Sequence, residues 1–272
     1  MLFDLHTHST ASDGSLSPRA LMARAFEQGV THLAITDHDT LAAYDDLPAG
    51  RPALVPGIEL STSWRRIGVH VVGLNVDITD PGLRAGVQAQ QQARHVRAAT
   101  IAARLVKCAG IDDPLPAVRA LAGSAPVGRP HFAQHLVDIG RVRDRRQAFR
   151  KFLGDGKAGD VRRHWAPLAA VTAWIRAAGG TAVLAHPAHY GLTMTRLRAL
   201  LADFCAAGGD ALEVVSGRQD AGTTARLAAL AGEFGLLASC GSDFHGPAPH
   251  ALEPGGAAPL PPACRPVWDS WS

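Results

Sequence analysis

Two hydrophobic rhythms alternate along the chain. Short apolar runs at 1–5, 32–35, 53–55, 69–74, 181–185, 211–215 and 236–240 have strand length, and between them apolar residues return every three or four positions. The runs predict seven strands. Leu21, Met22, Ala25 and Phe26 mark a first helix, with Ser17 as N-cap, Pro18 at its first position and Gly29 as its stop. Further helices are predicted over 167–178, 197–207 and 224–234. Segment 41–52 has room for two helical turns, with Asp39 as their cap. Alternating strands and helices imply parallel strands with helices outside them, an α/β barrel of about seven strands.

The rhythm breaks after Asp77. Residues 80–165 show helical spacing without strands: Ala98, Ile101, Ala102 and Leu105 form the apolar face of a long helix ending at Gly110. Helices at 114–121 and 131–139 follow, divided by Gly128-Arg129-Pro130. The chain therefore reads as a barrel in two parts, 1–79 and 166–272, with a helical insertion at 80–165 placed over the barrel mouth. The Pro- and Gly-rich tail from Gly246 is expected to wrap the surface irregularly.

Composition narrows the class. With 272 residues, 47% of them hydrophobic, the chain can bury one large core. No apolar run approaches the ~18 residues of a membrane span, and the N-terminus has no signal-peptide pattern. A cytoplasmic protein without a membrane partner is expected. The four cysteines form no C-x-x-C pair and read as free thiols. The formal charge of +3 decides nothing by itself, but 141–163 carries nine Arg/Lys against three Asp. That run is either a solvated helix face or a surface that attracts phosphate.

Candidate chemistry gathers at the predicted strand ends. His6 and His8 lie two apart at the end of the first strand, so they project from one face. Asp13 follows in a loop where Gly14 allows a tight turn. His38, Glu59, His186, Asp243 and His245 occupy equivalent places after later strands. In a (β/α) barrel these ends carry function, and imidazoles mixed with carboxylates are ligands for Zn²⁺, Mn²⁺ or Fe²⁺. His70, inside an apolar strand, reads by position alone as a core histidine.

Taken together, His6-x-His8, Asp13, Thr36-Asp37-His38, Gly57-Ile58-Glu59, His70, Ala185-His186-Pro187 and Ser242-Asp243-Phe244-His245 resemble the PHP (polymerase and histidinol phosphatase) superfamily over nearly the whole chain. Ser9-Thr10-x-Ser12-Asp13-Gly14-x-Leu16-x-Pro18 and Gly128-Arg129-Pro130-His131 are most similar to its stand-alone RNase AM-type members. Those enzymes remove the 5′-phosphate of nucleoside 3′,5′-bisphosphates and act as 5′→3′ exoribonucleases. The resemblance implies a distorted (β/α)₇ barrel and three divalent ions, usually manganese, with Zn²⁺, Fe²⁺ or Mg²⁺ as alternatives. It implies one ion on His6, His8, Glu59 and Asp243, a second on Glu59, His70 and His186, and a third on Asp13, His38 and His245. His70 thereby becomes a ligand.

Such a site suits phosphoester hydrolysis, because metal ions offset the charge of the phosphate and activate water. Glu59, Asp243 and His186 are the expected catalytic residues, and Asp13 and His245 also face substrate. Arg129 is the candidate phosphate clamp, its guanidinium being suited to a bidentate contact. His131 and His189 are candidates for a general acid or a hydrogen-bond donor, and Lys157 and Arg163 for contact with a second phosphate. Nucleotides or short RNA are the expected substrates, and DNA is not expected. Histidinol phosphate is the alternative substrate. The alternative of another class is an RNA-binding module with an inactive PHP core.

Overall fold

A computed structural model describes every residue except 46, 48, 49, 155, 162, 163, 249, 250 and 272. Its strands form two sheets. Strands β1 (Phe3–Thr7), β2 (His32–Ile35) and β3 (Ala53–Leu54) make a parallel sheet in that order. Strands β4 (Gly57–Trp64), β5 (Ile67–Leu74), β6 (Thr181–Leu184), β7 (Ala211–Ser216) and β8 (Leu237–Gly241) make the other. Isolated bridges Thr7–Phe244 and His38–Glu59 join the rims of the two sheets.

Two features depart from a repeating βα pattern. β5 runs antiparallel to both β4 and β6. β4 itself is an additional strand that the apolar rhythm does not reveal, because Glu59, Ser61 and Thr62 interrupt it. All three are buried, since the strand is covered on both sides. A two-residue turn joins β4 to β5, with positive φ at Arg65 (43°) and Arg66 (70°), the twist that tight hairpins require. Glu59 is consequently the third residue of a strand, and not its end. Segment 41–52 forms only a 3₁₀ turn at Ala42–Tyr44. The Tyr44 hydroxyl does the tying there, accepting from Gly57 N at 2.8 Å and donating to Ile35 O at 2.7 Å.

Helix α1 (Pro18–Glu27) starts as expected, with Ser17 Oγ accepting from Ala20 N. Helix α2 (Pro81–Ala109) is capped by Asp80, which accepts from Leu83 N at 2.7 Å, and ends at the left-handed Gly110. Its 29 residues span ~43 Å. Leu83 and Val87 pack in the main core, whereas Ala98, Ile101 and Leu105 pack in a separate cluster with Val118, Phe132 and Leu136. One rigid helix therefore connects the sheets to the insertion. The insertion continues with α3 (Leu115–Ala122), α4 (Arg129–Asp138), α5 (Arg145–Ala148) and a π-helical turn at Phe149–Leu153. Helix α4 starts two residues before the predicted His131, with Arg129 at its first position and Gly128 as N-cap. Helices α6 (Leu168–Ala177), α7 (Met194–Ala206) and α8 (Ala221–Glu233) return to the main core. The tail ends in a 3₁₀ turn at Val267–Ser270, where Trp268 stacks on Phe3 at 4.0 Å.

Candidate metal centre

β1 carries His6 and, one residue past its end, His8, both fully buried. Its last turns are locked to the chain after β8 by His8 N–H to Phe244 O (2.8 Å) and Asp243 N–H to His6 O (2.9 Å). No side chain fits at Gly241, where a Cβ would collide with that of His6. Gly14 is likewise required for space: a Cβ there would strike the His8 carbonyl, and its φ is not in the left-handed region. Asp37 shapes the loop between them, accepting from Ser9 N (2.8 Å), Ser9 Oγ (2.5 Å) and Ser12 Oγ (2.5 Å). The loop turns Asp13 back toward His245 (3.4 Å), His38 (3.8 Å) and His8 (3.9 Å).

Glu59 is the hub. Its Oε1 lies 2.8 Å from both His70 Nδ1 and His186 Nε2. Its Oε2 lies 2.9 Å from His38 Nδ1, 3.3 Å from His8 Nε2 and 3.4 Å from His6 Nε2. Asp243 Oδ1 faces His8 (3.5 Å), His245 (3.6 Å) and His6 (3.7 Å). All nine expected ligand residues are therefore brought together. Their ligand atoms fall into four overlapping groups: His8, Asp13, His38, His245; His6, His8, Asp243; His6, Glu59, His186; and His38, Glu59, His70. The three sets expected above, joined there only by Glu59, are thus more closely interleaved: His6, His8, His38 and Glu59 each fall in two groups.

The electrostatics are those of a cation site. Burial opposes charge on Glu59, but His38, His70 and His6 outweigh it and hold the carboxyl well below its usual range. Burial opposes charge on Asp243 too, and His6 and His8 reverse the balance. Burial and the neighbouring His245 push His8 down to about 3, and burial takes His70 to about 4 despite Glu59. His38 goes the other way: burial is outweighed by Glu59 and Asp13, and its pKa rises to about 9. His6 Nε2, both nitrogens of His8, His186 Nδ1 and Glu59 Oε2 are buried without a hydrogen bond. Buried polar atoms without a partner are costly, and divalent ions would satisfy Glu59 Oε2 and one nitrogen of each imidazole by coordination. Nitrogen and carboxylate oxygen donors without thiolates fit Mn²⁺, Fe²⁺ or Zn²⁺.

Several contributors lie outside the sequence motifs. Glu213, buried in β7, bonds His6 Nδ1 and the His186 backbone N–H. Asp39 is not a helix cap. It sits at φ 52° and accepts from Arg94 Nε (2.7 Å), Ser61 N (2.7 Å) and Gln90 Nε2 (3.2 Å), tying α2 to the residue beside His38. His186 (28°) and Asp243 (52°) also have positive φ, so strained backbone gathers at the site.

A cavity of about 260 Å³ opens beside the cluster, lined among others by Asp13, His70, Arg94, Arg97, Arg129 and Trp165. Arg94 and Arg97 each stand 5.2 Å from the Trp165 ring. Burial, with the charges of Arg129 and Arg94, pushes Arg97 down to about 9, the signature of cations crowded where an anion would relieve them. Arg129 also lines the cavity and donates to Leu153 O at 3.2 Å. His131 is committed to capping, its Nδ1 accepting from Gly128 N at 3.0 Å. His189 stacks on His186 at 5.3 Å and lines the cavity. Lys157 is exposed and away from the cavity wall, and Arg163 lies outside the described residues.

Known proteins place this geometry in context. Residues 4–102 match the model of the PHP domain. The chain is 42% identical to a 5′-3′ exoribonuclease of Haemophilus influenzae, over 99% of this chain and 98% of that one. It is 42% identical to a 3′,5′-nucleoside bisphosphate phosphatase of Chromobacterium violaceum, over 97% and 94%. A solved amidohydrolase from Chromobacterium violaceum, with bound sulfate and no metal, superposes with a TM-score of 0.91 at 40% identity, covering 99% of this chain and 95% of that one.

Proposed function

Because this chain belongs to the PHP domain family, we propose that it is a metal-dependent phosphoesterase. Its substrates are nucleoside 3′,5′-bisphosphates and the 5′ ends of short RNA. The observation that carries this reading is the convergence of nine imidazole and carboxylate side chains, five of them with a buried N or O atom that makes no hydrogen bond, beside a guanidinium-lined cavity. His6, His8, Asp13, His38, Glu59, His70, His186, Asp243 and His245 would hold three divalent ions, with Mn²⁺ as the assignment. Bound there, the ions would supply Lewis-acid charge and acidify a water.

The remaining roles belong to the chain. Glu213 fixes the ring of His6, and a carboxylate on the far imidazole nitrogen makes the ligand nitrogen more basic. Arg129, with Arg97 beside it, would hold a second phosphate, and Trp165 offers a flat wall to a base or ribose. His189 is placed to donate a proton or a hydrogen bond at the cavity wall, whereas the capping bond of His131 leaves it a supporting role.

One register for both substrates revises the expected loss of the 5′-phosphate. An exoribonuclease that frees 5′-mononucleotides from the 5′ end breaks a P–O3′ bond. In a 3′,5′-bisphosphate the equivalent phosphate is the 3′ one, leaving a nucleoside 5′-phosphate. The metal cluster would then take the phosphate on O3′, and the guanidinium groups the 5′-phosphate. We favour this register because one cavity serves both substrates. A cavity lined by three arginines suits a second phosphate better than the cationic amine of histidinol phosphate. The full ligand set argues against an inactive RNA-binding module.

We read residues 80–165 as a lid and the two bridged sheets as a distorted barrel. Among the described residues no helix is long and apolar enough to cross a membrane. The test is to offer metal-free and Mn²⁺-loaded protein adenosine 3′,5′-bisphosphate, a 5′-phosphorylated RNA and histidinol phosphate side by side. Turnover of the first two, only with metal, is expected. Preference for histidinol phosphate would overturn the substrate reading.

A further inference from the structure

The lid carries more positive charge than its own contacts use. Arg141 donates to Ala109 O at 2.7 Å, Arg143 pairs with Asp144 at 2.9 Å, and Arg145 donates to Gln134 Oε1 at 2.8 Å. Arg146, Arg150 and Lys151 are exposed and have no ion-pair or hydrogen-bond partner among the described residues, Asp144 reaching Arg146 only through its charge. Arg146 and Arg150 lie four apart across α5 and the π-helical turn, so they share a face, with Lys151 next to them. Like charges at that spacing repel each other. An anion meeting the cluster would offset that repulsion.

The same element also walls the cavity. Phe149 lines it, and Arg145, one turn earlier, is within electrostatic reach of His131, which is itself within reach of Asp13 in the metal cluster, the side from which RNA beyond O3′ would leave. The basic face thus continues from the cavity wall into solvent. The cavity of about 260 Å³ lies just below the range of about 300–1,000 Å³ for sites that take drug-sized ligands, so it holds no more than one nucleotide. Any further nucleotides of an RNA must leave it across the surrounding surface.

We propose that Arg146, Arg150 and Lys151 bind the phosphodiester backbone of single-stranded RNA downstream of the nucleotide in the cavity. The proposal rests on the RNA-end reading above. The contacts are to phosphate, so they carry affinity and salt dependence but no base preference. A mononucleoside bisphosphate does not reach them.

The test uses the triple variant Arg146→Gln, Arg150→Gln, Lys151→Gln. Binding of a 5′-phosphorylated RNA of about 12 nucleotides, within usual single-strand site sizes, is followed by anisotropy on metal-free protein between about 50 and 200 mM salt. Hydrolysis of adenosine 3′,5′-bisphosphate by Mn²⁺-loaded protein is measured in parallel. Single-strand contacts contribute about 0.7 each to the log–log salt slope, so the variant should lose about 2 of that slope and bind about tenfold more weakly at the lower salt. Its kcat/KM for the bisphosphate should stay within about twofold of the wild type. An unchanged slope, an equal loss on the bisphosphate, or no RNA binding by the wild type would overturn the assignment. Wild-type protein that binds the RNA through these residues but leaves it uncut would support the surface and refute the exoribonuclease reading.

Discussion

Glu213 Oε1 lies 2.9 Å from His6 Nδ1, and the other oxygen of the same carboxylate takes the backbone N–H of His186 at 2.5 Å. One buried residue in β7 thereby orients two of the ligand positions from behind, turning His6 Nε2 toward Glu59 and Asp243.

Glu213→Gln should keep the shape and lose the charge. Changes to carboxylates behind metal-bound histidines typically cost about 10- to 100-fold in metal affinity or activity. Competition with a chelator should show that loss for Mn²⁺. Affinity within twofold of the wild type would leave Glu213 a packing residue.

His8→Ala and Asp243→Ala should abolish turnover while the protein stays folded. Metal linkage gives the independent readout. Mn²⁺ at about 100 times its Kd stabilises the wild type by about 2.7 kcal/mol, a rise in Tm of roughly 5 °C or more for a chain of this size. The variants should lose most of that rise. A full metal-dependent shift in both would remove these residues from the site.

Arg129→Ala tests the substrate register. Loss of a charge-assisted contact costs about 1.5–3 kcal/mol, roughly 10- to 150-fold in kcat/KM. The loss should fall on adenosine 3′,5′-bisphosphate and largely spare adenosine 3′-phosphate, which has no 5′-phosphate to hold. Arg129→Lys should recover part of it, since an ammonium lacks the planar fork. Equal losses on both substrates would place Arg129 on the reacting phosphate. Adenosine 3′-phosphate as the product from the bisphosphate would reverse the register.

Arg94→Ala should destabilise the fold, because it strands the buried carboxylate of Asp39. Removing one partner of a buried pair costs about 3–5 kcal/mol, measurable by urea denaturation. Burial opposes ionisation of Asp39, but Arg94 and the Ser61 N–H outweigh it and lower its pKa. The stability this contributes is present above the ordinary carboxylate pKa and is lost as pH falls through the lowered value. The wild type should therefore lose stability in acid more steeply than Arg94→Ala. Parallel acid profiles would show that the pair is not what α2 contributes at His38.

The clustered residues were legible because a strand places alternate residues on one face and parallel strands bring their C-terminal ends to one rim. His6 and His8 follow the first rule, and His38, His186, Asp243 and His245 the second. What stayed hidden depends on contacts far apart in sequence. Glu59 and Ser61 make β4 look polar, yet they are buried because one faces the cluster and the other meets Asp39 and Arg94. Arg94 and Gln90 are polar residues on a helix with no motif around them, and it is the packing of α2 beside β4 that brings them to Asp39. Glu213 sits in mid-strand, where nothing local sets it apart from a neighbour of Val214. The hairpin at Arg65-Arg66 carries no local signal, because its turn has no glycine.

The most direct measurement is phosphate release from adenosine 3′,5′-bisphosphate by protein stripped of metal and titrated with Mn²⁺, with bound metal counted in the same samples. The account predicts no release from the stripped protein, and activity that rises with more than one ion bound per chain. Full activity in metal-free protein, or none at any Mn²⁺ loading, would contradict it.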